Sequence, residues 1–205
     1  MSHITKIKGA KLRSKAFLLA ALSELGWYKA AMQSDENELP AVTPWQRTHV
    51  NILAAFDAGK DEREFGFVVK RDDKGIYYEL QADTYATRTT AKKLMVQVTQ
   101  RYVALAAKAM YEQQGYSQLS AGQNGADWLV NLQRADAAAL SRVEIEVNAD
   151  GEVTEHMTGV NGAKCQQISS PFQALLDGEV DFQPTAEYFQ SDQFGCDFNL
   201  QVNHD

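Results

Sequence analysis

Cysteine is nearly absent from this sequence. Cys165 and Cys196 are the only two in 205 residues, too few for a disulfide scaffold, and without an export signal they read as free thiols in a reducing compartment. Proline is scarce as well, at four residues, and with 44% apolar and 10% aromatic residues the composition excludes disorder over most of the length. Long apolar runs are missing: AFLLAAL, after the basic start MSHITKIKGAKLRSK, is short and followed by no small-residue cleavage site. It reads as neither a signal peptide nor a membrane span, so a cytoplasmic protein is expected. The four histidines, His3, His49, His156 and His204, are scattered without ligand spacing, so neither a metal nor another cofactor is expected. No G-x-S-x-G, P-loop, H-E-x-x-H or dinucleotide fingerprint occurs.

What the sequence does carry is helical periodicity. In 91–114, AKKLMVQVTQRYVALAAKAMYEQQ, residues Leu94, Met95, Val98, Tyr102, Leu105, Ala106 and Ala109 recur at three- and four-residue steps. They share one stripe of a helix about six turns long, which needs a partner surface. A shorter helix follows Ser14 as N-cap, with Phe17, Leu18, Ala21, Leu22 and Leu25 as its apolar face and Gly26 as its stop. Strands are expected at 3–8, 27–32, 49–56, 65–70 and 76–82, the last two joined by the turn Asp72-Asp73-Lys74-Gly75. The acidic segment 33–45, with two prolines, reads as an exposed loop. Asn124-Gly125 marks a hairpin between 116–119 and 128–132, and Asn148-Ala149-Asp150-Gly151 another between 142–147 and 152–157. A helix over about 165–176, opened afresh or kinked at Ser170-Pro171, ends at Gly178. From Glu179 onward the chain is polar and acidic with scattered rings, and an irregular tail is expected.

This order implies an α+β fold: a two-layer sandwich with two amphipathic helices on a mostly antiparallel sheet over 1–134. A small C-terminal β-hairpin–helix module over 142–180 and an acidic tail over 181–205 complete it. Charge draws the same boundary. Residues 142–205 hold twelve acids against Arg142 and Lys164, whereas 1–141 hold 18 bases and 15 acids.

The segments MSHITKIK, LGW, FGFVV, YYELQAD and LMVQVTQRYVALAAKAMYEQQGY resemble the domain-of-unknown-function family 1257, typified by hypothetical chloroplast reading frame 35 of algae and cyanobacteria. That resemblance covers about residues 1–134. The segment VEIEVNADGEVTEHMTGVNGAKCQQISSPFQALLDG, with TAEYFQ beyond it, resembles a second family, domain of unknown function 2997. The resemblance implies a fusion of two neighbours often encoded near an AAA-type ATPase, hence a protein partner of that kind; it brings no established catalytic residue.

Candidate chemistry is sparse. His3 is an imidazole able to act as base or ligand, although a solvated or satisfied histidine is the simpler reading. Asp83 and Arg101, beside Tyr102, are expected to meet across the helix–sheet interface, as a structural ion pair or as part of a polar active site. Cys165 stands near a helix start, where a thiolate nucleophile is favoured, with His156 as the nearest histidine in sequence. Lys6, Lys8, Lys11, Arg13 and Lys15 precede the first acid, Glu24. They read as a phosphate or partner contact, or as an intramolecular match for the acidic C-terminal part. Three functions follow: a non-enzymatic interaction or adaptor protein serving an AAA-type ATPase system, a nucleic-acid binder using the basic start, or an enzyme built on His3, Asp83 and Arg101. No membrane partner is expected.

Overall fold

The computed structural model describes residues 2–8, 10–33, 41–42, 49–57, 62–81, 91–135, 140–160 and 163–184. In chain order the elements are β1 (Ser2–Lys8), α1 (Lys15–Glu24), β2 (Tyr28–Gln33), β3 (Ala41–Val42), β4 (His49–Val50), β5 (Ile52–Asp57), β6 (Glu62–Asp72), β7 (Gly75–Gln81), α2 (Ala91–Glu112), β8 (Ser117–Asn124), β9 (Asp127–Ala135), β10 (Leu140–Val147), β11 (Val153–Thr158), α3 (Ala163–Leu176) and β12 (Glu179–Pro184). The chain is α+β with antiparallel sheets. A six-stranded sheet runs β12-β1-β11-β10-β9-β8, a four-stranded sheet runs β2-β5-β6-β7, and β3 pairs with β4. No helix among the described residues is long and apolar enough to cross a membrane.

α2 organises the packing. Leu94, Val98, Tyr102 and Ala106 of the expected stripe are fully buried, but so are Val103, Ala107 and Tyr111 on a neighbouring row, while Met95, Leu105 and Ala109 are only partly covered. The helix is clad on more than one side because it contacts β8, β9 and β10 of the large sheet as well as α1, α3 and β7. Each large apolar side chain buried this way contributes about 1.5–3 kcal/mol over an exposed one.

Local signals set the ends of α1. The Ser14 hydroxyl accepts from the Phe17 N–H at 3.4 Å, and the Ser14 N–H donates to the Tyr102 hydroxyl at 2.9 Å. The Phe17 ring stands edge-on to that of Tyr102, 6.0 Å between centroids. One residue thus starts α1 and fixes it to α2. In α3, Pro171 lies inside a continuous helix and neither restarts nor splits it. The Gln167 carbonyl, which an N–H at position 171 would have bonded, accepts from the Ser170 hydroxyl at 3.3 Å.

Three expectations about organisation need correcting. The C-terminal hairpin and helix are not a separate module: β10 pairs with β9, and β11 pairs with β1, Ser2 opposite Thr158 through Ile7 opposite Val153. Glu179–Pro184 is not irregular but forms β12 on the other side of β1, with Lys8 opposite Glu179 and Lys6 opposite Asp181. Residues 185–205 lie outside the described ones. The strands expected in one N-terminal sheet divide instead, β1 joining the large sheet and β2, β5, β6 and β7 forming their own. Smaller differences follow the same pairing logic. Within the expected 33–45 loop, Ala41–Val42 pairs with His49–Val50. The hairpin at Asn124 is longer than expected, with Asn124 paired to Asp127 across a two-residue turn.

Candidate functional site

Two residues of the basic N-terminal stretch, Lys11 and Arg13, are engaged within the molecule. Lys11 Nζ donates to Asp72 Oδ2 at 2.6 Å. Arg13 donates to both oxygens of Asp72, at 3.0 and 2.8 Å, to Asp177 Oδ2 through Nε at 2.9 Å, and to the Ile76 carbonyl at 3.1 Å. Lys74 also donates to Asp177. Asp177, just past α3, has a left-handed backbone (φ +46), and its side chain is 5% exposed against 12% for Arg13. This cluster joins the β6–β7 turn of the small sheet to the end of α3 beside the large one. For Arg13 this is a contact with the acidic C-terminal part, at Asp177, and Lys11 and Arg13 both also engage Asp72. Lys15 opens α1, half-buried. The side chains of His3, Lys6 and Lys8 lie outside the described residues, although the β1 backbone sets His3 opposite Met157 and Pro184.

These carboxylates make stability acid-sensitive. The Arg13 hydrogen bond, then that of Lys11, holds the Asp72 carboxyl well below its ordinary value of 3.8. Lys74, then Arg13, lowers that of Asp177. Both folded values are depressed, so the unfolded chain takes up protons first on acidification. The stabilisation is whole above the ordinary value and is lost as pH falls through the folded values. Arg13→Gln is therefore expected to move the midpoint of acid unfolding, followed by circular dichroism, to higher pH. An unmoved midpoint would mean that the pairing adds nothing to the fold.

A second polar group, invisible as a site in the sequence, lies in the core. Glu155 on β11 is 0% exposed. It accepts from the Tyr111 hydroxyl of α2 and from Gln173 Nε2 of α3 at 3.1 Å, and the Ser169 hydroxyl also bonds this group. Aromatic rings wall it: Tyr111 lies 5.4 Å from Tyr116 and 5.9 Å from Phe172, centroid to centroid. Burial pushes the Glu155 carboxyl up, against those hydrogen bonds, and burial with the adjacent carboxylate pushes the Tyr111 hydroxyl well above 10. The alternation Val153, Glu155, Met157 placed this acid on the apolar face of its strand, and that was the available signal. Because Glu155, Tyr111 and Ser169 are all buried, the group ties α2 and α3 to the sheet and offers no entry to a substrate.

Cys165 shares this interior. Its thiol is fully buried, donates to the Val160 carbonyl at 3.0 Å, and is pushed up to about 11, first by burial. A thiol so placed stays protonated at neutral pH and is a poor nucleophile. Of the expected cluster of His3, Asp83 and Arg101, Asp83 and the His3 side chain lie outside the described residues. Among the described residues Arg101 meets no carboxylate, and its guanidinium lies 3.5 Å from the centroid of the Trp128 ring.

That stacked pair sits in a cleft of about 350 Å³ between the first half of α2, the end of α1 and the β8–β9 hairpin. Lys92, Lys93, Gln97 and Gln123 stand around it, with Leu25 and Val96 as apolar wall. Gln100 fixes the floor, its amide donating to the carbonyls of Ala126 at 3.0 Å and Val147 at 3.3 Å. Among the described residues no group of three or more His, Cys, Asp or Glu is arranged to hold a metal ion. What the cleft presents is hydrogen-bond donors and positive charge.

Residues 143–189 match the family described as "Protein of unknown function (DUF2997)". No curated protein matches the chain. The matched stretch begins in β10 and includes β11, α3 and β12, and with them Glu155, Cys165 and Asp177, whereas Arg101 and Trp128 of the cleft lie before it.

Proposed function

We propose that this chain is a non-enzymatic interaction protein, an adaptor that takes a protein partner on the β8 edge of its large sheet. The observation that carries this reading is the character of that edge. β8, SQLSAGQN, has no charged residue and no proline, and among the described residues it closes the sheet with a single neighbour, β9. Unpaired N–H and C=O groups along such an edge accept a further strand unless charge or proline blunts them. The opposite edge, β12, carries Glu179 and Asp181. A register shift between Gln118 and Ser120 leaves Leu119 without a strand partner and 55% exposed, at the rim of a groove of about 340 Å³ bordered by Asn131, Glu144 and His156. A bulge re-aims a side chain in this way. The fitting partner is an extended segment that adds beside Ser120 and beyond while an apolar side chain covers Leu119.

The resemblance of residues 1–134 to family 1257 and the match of 143–189 to its companion family support an AAA-type ATPase as the partner class. The test is affinity recovery of tagged full-length chain from its native host, with and without Leu119→Lys. The parent is expected to bring down an AAA-type ATPase identified by mass spectrometry. The variant is expected to lose it while unfolding within about 0.5 kcal/mol of the parent. A parent recovered alone, or a variant that keeps the ATPase, overturns the reading.

A further inference from the structure

The cleft at Arg101 has a chemistry of its own, separate from the β8 edge. Arg101 is partly buried, and its guanidinium lies over the Trp128 ring, 3.5 Å from the centroid. Stacking satisfies the face of the cation but none of its in-plane N–H donors, and no hydrogen-bond acceptor engages them among the described residues. The carboxylates around it are committed or distant. Asp150 pairs with Lys92, Asp127 accepts from the Ala149 N–H at 3.0 Å, and Glu24 acts on Arg101 only through space. The Trp128 indole nitrogen is buried and likewise makes no hydrogen bond. A buried N–H left unmade costs about 1–3 kcal/mol, and so needs an explanation.

Arg101, whose edges engage no acceptor among the described residues, and Trp128, whose indole N–H makes no hydrogen bond, line a concavity of about 350 Å³. We propose that this cleft binds a small organic oxyanion, a phosphate ester or a carboxylate, held by the in-plane N–H groups of Arg101 and by the Trp128 indole. Two oxygens on one centre match the guanidinium fork, and Leu25 and Val96 receive the apolar body that carries the anion. The volume is at the small end of the range for ligand sites, which sets a ligand of roughly mononucleotide size or below.

The experiment uses ¹⁵N-labelled full-length chain and follows the indole N–H signals of Trp27, Trp45 and Trp128 during titration with inorganic phosphate, adenosine monophosphate and succinate. Trp128→Phe assigns the Trp128 signal by removing it. The expected result is a saturable shift of the Trp128 signal with at least one probe below ~10 mM, with little change at Trp27. Comparing the two phosphates with the dicarboxylate tells which oxyanion the site takes. Arg101→Met is expected to weaken binding about tenfold or more, and Arg101→Lys, which keeps the charge but not the fork, by about threefold to tenfold; an unchanged Trp27 signal reports that each variant is folded. No saturable shift with any of the three probes, or undiminished binding by a folded Arg101 variant, overturns the proposal.

Discussion

Gly159→Ala is expected to cost about 4 kcal/mol or more, most of the stability of a domain at the low end of the ordinary range. Two effects add at this position, directly after β11. The backbone is left-handed (φ +74), which an L-residue adopts at a cost of about 1–2 kcal/mol. A Cβ there would also lie 3.0 Å from the Leu140 carbonyl carbon and from the Ser141 Cα, and closer still to the Leu140 oxygen. These are backbone atoms at the start of β10, where Leu140 and Ser141 pair with Ala135 and Arg134. They cannot swing aside as a side chain would, so β10 or the turn must move. Gly26 is the matched control: its φ is +71 and nothing lies within 4 Å of the place a Cβ would take, so Gly26→Ala is expected to cost about 1 kcal/mol. Urea unfolding of both variants separates conformation from contact. Equal losses would mean that Gly159 does not approach β10 as described.

Glu155 gives the second large effect, with an unusual pH dependence. Glu155→Ala removes the acceptor for Tyr111 and Gln173 and opens a void among buried rings. About 3 kcal/mol of lost stability is expected. Glu155→Gln keeps the shape and removes the charge. The folded carboxyl is raised above its ordinary value of 4.5, so on raising the pH the unfolded chain ionises first. The stabilising contribution is full below that value, falls as pH rises toward the folded one, and is level beyond it. Urea unfolding between about pH 5 and pH 8 should therefore show a decline in the parent that Glu155→Gln lacks, with the variant at least as stable at the upper end. Identical slopes for the two would show that this carboxylate does not resist ionisation. Asp72 and Asp177 act in the opposite sense at lower pH, so the two groups together favour a mildly acidic optimum.

Local signals in the sequence translated directly into structure. Ser14 and Gly26 bound α1, Asp72 to Gly75 turns the β6–β7 hairpin, and the stripe through Val98 and Tyr102 is buried. Each of these depends on residues within a few positions of one another. What stayed hidden depends on residues far apart. β1 looks like any short alternating strand, and nothing near Ile4 or Ile7 announces that Val153–Thr158 and Glu179–Pro184 will flank it. β12 reads as tail because two of its first three residues are acidic, a feature of an edge strand as much as of a solvated segment. The second buried row of α2, at Val103, Ala107 and Tyr111, is not legible in the sequence because a wide apolar arc and a single stripe share most of their residues. At the cleft, Arg101 is visible in the sequence as a candidate, but the Trp128 ring beneath it is not. An aromatic ring leaves no charge pattern by which to find it.

The position of β1 has a consequence for biosynthesis. Its neighbours come from the last two described stretches of the chain, so β1, synthesised before both, must wait for residues 153–184 before either flank is closed. At typical elongation speeds the delay is roughly ten seconds or more, during which Ser2–Lys8 travels as an open strand beside a partly built body. Large-sheet closure is thus a late step of translation, and a polypeptide stopped before β11 has no means of completing it.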